Sequence, residues 1–236
     1  MQTAEGLHSD FPEALKTALK RLSIAVIFGI AFGYIEAAVV VYLRAIFYPA
    51  GFTFPLTDFG TGALWGQLLL TEIGREAATL VLIFTGCWLF GRNHRQRFAY
   101  FLVIFAVWDI FYYIWLKALI DWPASITDWD ILFLIPFAWA SPVLAPVAVS
   151  LTLLTFAVTI LYCDCRGRTI GTTLMDWAGF MLAGLVVVAS FCIAGLHMAE
   201  PDFKAWFYWS LFAGGLLLAA GLFIRCLLRS NRPGSS

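Results

Sequence analysis

Six stretches of the chain are apolar over about 20 or more residues, and short polar segments separate them. They cover roughly 22–43, 65–90, 98–120, 143–162, 172–196 and 205–228. At about 1.5 Å per residue, each is long enough for the ~30 Å hydrocarbon core of a bilayer. The pattern predicts an all-α, polytopic membrane bundle of six transmembrane helices in a single membrane domain, 1–236.

One region breaks the regularity. A helix running unbroken from residue 130 to residue 162 would be about 50 Å long, too long for the membrane. Pro136, Pro142 and Pro146 offer the breaks. The expectation is a short interfacial or re-entrant helix over 129–138, capped by Asp128, ahead of the fourth span. Upstream, Asp10, Pro12 and Glu13 read as a helix start leading into the first span. With acids among residues 1–20 and a long apolar run behind them, that stretch does not read as a cleavable signal.

Composition agrees with the pattern. The chain of 236 residues is 61% hydrophobic and 13% charged, with a mean hydropathy of +0.85. That is more apolar surface than a soluble domain of this length could bury. Net charge is zero, so only its distribution is informative. Lys16, Lys20, Arg21, Arg92, Arg95, Arg97, Arg166, Arg168, Arg225, Arg229 and Arg232 all fall at one face of the six-span arrangement. The positive-inside rule then places both termini in the cytoplasm of a cell (inner or plasma) membrane. The opposite face is acidic and aromatic, with Asp58, Asp121, Asp128, Asp130, Glu200 and Asp202. Its first loop, 48–64, is apolar enough to act as a cover. The five cysteines suit reduced thiols rather than a disulfide framework.

The second span carries the chemistry. It contains eleven Leu, Ile, Val and Phe residues, which favour insertion by about 0.3–0.6 kcal/mol each. Glu72, Arg75 and Glu76 oppose it by about 2.5–3.5 kcal/mol each, so alone this helix inserts poorly. Neighbouring spans offer polar partners at the same depth: Glu36 in the first, and Asp109, Tyr112, Tyr113 and Lys117 in the third. Asp109, Tyr113 and Lys117 share a helical face. Gly29 and Gly33 form a GxxxG stripe where a neighbouring helix can approach closely.

Ionisable groups at that depth usually face a bundle interior or a wet cavity. Glu36, Glu72, Arg75, Glu76, Asp109, Tyr112, Tyr113 and Lys117 are therefore the expected ligand-binding set. Fully ionised, its four acids outnumber its two bases by two charges. No histidine lies in a span core, which disfavours haem, His-ligated zinc and a Ser-His-acid triad. No metal site is expected, though an all-carboxylate one would draw on the same four acids. The sequence identifies no cofactor, and without a nucleotide motif it describes no ATP-driven motor.

Three functions fit: binding or transport of a cation or small polar ligand, a membrane-embedded enzyme acting on a lipid-linked substrate from the outer leaflet, and a structural subunit or assembly factor. The expected partners are the lipid bilayer and either a second copy or another membrane subunit; no nucleic acid is expected. A two-fold transporter of this length would need that second copy.

Overall fold

In hydrocarbon every backbone polar group must be satisfied within the protein, and a helix does so with its own residues. The apolar stretches take that form. The computed structural model describes residues 4–59 and 65–230. It contains α1 (Ala4–Phe47), α2 (Trp65–Phe90), α3 (His94–Ile120), α4 (Leu144–Cys165), α5 (Leu174–Leu196) and α6 (Trp209–Leu228). All six are long and apolar enough to cross a membrane. The chain is an all-α, multi-pass integral membrane protein. Helix α1 begins at Ala4 and runs through Pro12, so Asp10–Glu13 is not its start. Its 44 residues measure about 66 Å, roughly twice the hydrocarbon thickness.

Helix α3 is the axis on which α1, α2 and α4 pack. The α1–α3 crossing is tight because of the two glycines. A Cβ on Gly33 would come within 2.9 Å of the Trp108 carbonyl oxygen, and one on Gly29 within 2.9 Å of Val107 Cγ1. The Trp115 indole N–H donates across this seam to the Ile30 carbonyl at 3.0 Å. Helix α2 is held more sparingly: among the described residues its buried positions are Glu76, Thr79, Ile83, Gly86 and Cys87. Helices α5 and α6 form a second pair, closed around Gly215, whose Cβ would meet the Ala183 carbonyl at 3.0 Å. Stacked Phe156 and Phe223, 4.1 Å apart, link α4 to α6.

Polar ties close the basic end. Asp164 accepts from Gln96 Nε2 at 2.7 Å and pairs with Arg95 at 3.4 Å. Asp176 completes a capping box with Thr173 and pairs with Arg225 and Arg229.

The irregular region is not the helix expected over 129–138. Strands β1 (Trp129–Phe133) and β2 (Trp139–Pro142) form an antiparallel hairpin, with Asp130 opposite Ser141 and an irregularity between Ile131 and Phe133. Asp128 caps no helix; its carboxylate accepts from the backbone of Ala124 and Ser125 at 2.7 and 3.1 Å. Trp, Ile, Leu and Phe suit a pleated, half-buried surface, and Pro136 lies in the bend, where no ladder bond is needed. The hairpin lodges against α5. Gly195 lets the Ala138 carbonyl sit where any side chain would collide with it, and the Trp139 and Phe191 rings stack at 6.1 Å.

Above the hairpin lies an aromatic cover. Phe54 meets Trp129 and Phe203 at 5.8 and 5.3 Å, and the Leu56 N–H donates to the Met198 carbonyl at 2.9 Å. The covering role expected of 48–64 thus falls to residues up to 59; 60–64 lie outside the described residues.

Candidate functional site

Two polar clusters occupy the hairpin half of the bundle. The first joins α1 to α2. Arg75 is ion-paired with Glu36 and donates from Nε to Glu72 at 2.8 Å. The Thr79 hydroxyl donates to the other Glu36 oxygen at 2.8 Å. Glu72, Arg75, Glu76 and Thr79 share one face of α2 because they recur at helical spacing. Glu76 reaches past this network and accepts the Leu134 N–H at the hairpin bend, at 2.8 and 3.0 Å from its two oxygens.

The second cluster joins α1, α3, α4 and the hairpin. The Arg44 guanidinium donates to Asp130 Oδ1 at 2.9 Å, with side chains 10% and 3% exposed. It lies over the Phe52 and Trp122 rings, 4.1 and 3.7 Å from their centroids. The Tyr112 hydroxyl donates to Asp130 Oδ2 at 3.2 Å. Burial pushes the Asp130 carboxyl above its ordinary range, and Arg44 pulls it back only in part. Asp109 has a neutral partner, the Ser150 hydroxyl of α4, which donates to it at 2.7 Å.

Both clusters border one cavity of about 820 Å³. Glu36, Glu72, Arg75, Glu76, Asp109, Tyr112 and Tyr113 all line it. Lys117 does not belong to this group, although it shares their helical face. Its ammonium is half exposed and pairs with Asp121 at 2.7 Å where α3 ends. A long flexible stem lets a lysine carry its charge to the helix end rather than bury it. Arg44, Asp130 and Ser150 line it as well, and the expected set did not include them. The available signal for Asp130 was one acid inside the otherwise apolar run WDILFLIP. Ser150, a lone serine in a long apolar span, carried none.

Away from the acids the cavity becomes a groove between α3–α4 and α5–α6. Phe105, Leu153, Phe156, Phe180, Val187 and Phe223 form its walls. It continues to Phe98, Trp177 and Cys226 near the basic end. Asp109 lies eleven positions after Phe98 on α3, about 16 Å of helix.

Among the described residues no group of three or more His, Cys, Asp or Glu side chains is placed to hold a metal ion. The described cysteines are free thiols. Compared with family models, curated proteins and solved structures, the chain matches none.

Proposed function

We propose that this membrane protein binds an amphiphile, holding its polar head between the two charged clusters and its hydrocarbon chain in the apolar groove. The observation that carries this reading is the continuity of the cavity. The same space touches Glu76 and Asp109 at one end and Phe156, Phe180 and Phe223 at the other. A small cation or polar metabolite would use the first part and leave the second unfilled. A lipid-linked molecule uses both, as ligand sites that join a large apolar lining to a few placed polar groups commonly do. The ion pairs also fasten α1 to α2 and the hairpin to α1, so binding and bracing draw on the same residues.

Orientation follows the basic residues. With Arg92, Arg95, Arg97, Arg166, Arg168, Arg225 and Arg229 near one end, that end faces the cytoplasm of a cell membrane, and the charged clusters lie in the outer half. The amphiphile then enters from the outer leaflet.

Gly184 supplies the test. It lines the groove, and a Cβ placed there meets nothing within 4 Å. Gly184→Phe should fill the groove without disturbing the helix. A photoactivatable long-chain amphiphile should label groove residues such as Phe156 and Phe180 in the parent protein. In the variant this labelling should fall roughly tenfold. Labelling spread over outward-facing residues such as Leu217 and Leu228, and unaltered by Gly184→Phe, would refute the reading.

A further inference from the structure

The charge balance at the hairpin end of the cavity narrows the chemistry of the head group, given the amphiphile reading above; Arg95 and His94 line the far, basic end. In the first cluster Glu36, Glu72 and Glu76 face Arg75 alone; in the second Asp109 and Asp130 face Arg44 alone. With every acid ionised, neither cluster balances. Each guanidinium is already engaged, Arg75 by two carboxylates and Arg44 by Asp130 and two aromatic rings. Lys117, the base on this stretch of α3, is committed to Asp121.

A second, independent observation comes from Tyr113. It is 5% exposed and lines the cavity one helical turn beyond Asp109. Its hydroxyl makes no hydrogen bond to any described residue, although the neighbouring Tyr112 hydroxyl, with its ring 4.9 Å away, is spent on Asp130. Asp109 uses only Oδ2, towards Ser150, leaving Oδ1 without a partner among the described residues. The wall therefore presents a carboxylate oxygen that accepts N–H or O–H donors and a phenol hydroxyl that both accepts and donates. It also carries an excess of negative charge that wants a cation, and aromatic faces that favour one.

We propose that the space bordered by Asp109, Tyr113 and Ser150 takes a protonated amine, so that the ligand is a long-chain alkylammonium-type amphiphile. The N–H groups of the head donate to Asp109 and to the Tyr113 oxygen, and the chain follows the groove towards Phe98. A phosphate or sulfate head would meet the acidic excess and be repelled. A quaternary ammonium would satisfy the charge but offer no N–H to Tyr113.

The experiment uses the full chain in nonionic-detergent micelles and four probes with the same dodecyl tail: dodecylamine, dodecyltrimethylammonium, dodecanol and dodecyl sulfate. Dodecylamine, charged at neutral pH, should bind roughly tenfold or more tighter than dodecanol, and dodecyl sulfate most weakly. The size follows from charge-assisted hydrogen bonds in a buried site. Tyr113→Phe and Asp109→Asn should each weaken dodecylamine roughly fivefold or more and affect dodecanol, which carries no charge, distinctly less. Should Asp109→Asn not fold, Tyr113→Phe, which removes one oxygen, carries the test. Equal binding of dodecylamine, dodecanol and dodecyl sulfate would overturn the amine assignment and leave the amphiphile reading standing. Equal binding of the two ammonium probes, both indifferent to Tyr113→Phe, would overturn it too. No saturable binding of any probe would overturn the amphiphile reading itself.

Discussion

Glu76 on α2 holds the Leu134 amide at the hairpin bend, with its two oxygens 3.0 and 2.8 Å from the nitrogen. A carboxylate from one helix thereby does for an extended backbone what a neighbouring strand would do in water. Glu76→Ala should leave that amide unpaired, at a cost of about 1–3 kcal/mol. Glu76→Gln keeps an acceptor and should cost less. Hydrogen–deuterium exchange at Leu134 reads the difference directly: fast in the alanine variant, slow in the parent.

Arg44 and Asp130 form a deeply buried pair. Removing one partner strands the other, so Asp130→Leu or Arg44→Met alone should destabilise by about 3–5 kcal/mol. Arg44→Met with Asp130→Leu leaves neither charge behind and should cost distinctly less than the sum of the singles. A double-mutant cycle on unfolding in mixed micelles measures the coupling. Strict additivity would show that the two charges do not depend on each other.

At Gly33 any side chain must push the Trp108 carbonyl, 2.9 Å from the Cβ position. That contact is backbone and cannot rotate away. Gly33→Leu should splay α1 from α3 and cost about 1–3 kcal/mol, seen as a lower thermal midpoint. Gly74→Leu is the control, because a Cβ there meets nothing within 4 Å; it should be tolerated.

His197 and Glu200 supply a pH dependence outside the spans. Their 2.7 Å hydrogen bond, with a second from the Trp206 indole at 2.9 Å, holds the Glu200 carboxyl below its ordinary value of 4.5. The sign follows: a depressed acid contributes stability that is present above 4.5 and is lost as pH falls through the lowered value. Thermal midpoints measured from pH 6 downward should fall less steeply in Glu200→Gln than in the parent. Identical slopes would remove Glu200 from the acid response.

The six helices were legible because spanning a bilayer imposes a length and an apolar composition that few other elements share. The hairpin was not. In a continuous apolar run such as Ile131–Phe137, periodicity cannot separate a strand from a helix. The same misreading displaced Asp130: counted along the chain it belongs to an outer loop, yet the hairpin folds it inward onto Arg44 and Tyr112. Glu36, Glu72, Arg75, Glu76 and Asp109 could be grouped by depth, because residues per turn convert directly into height. Depth fixes no direction, which is why Lys117, on the right face, ends at Asp121.

The hairpin also bears on the order of assembly. Its strands pair with each other, and its slot is completed by Gly195 and Phe191, which are synthesised some fifty residues after β2 begins. Until α5 arrives, Trp139 and the Ala138 carbonyl lack the surface that receives them in the finished bundle. Biogenesis therefore runs out of register with the chain. Helices α1 to α3 can be integrated as they emerge, but the hairpin waits for a later helix. A nascent chain arrested before Gly195 should leave a cysteine substituted for Trp139 reactive, and one released after Leu196 should protect it.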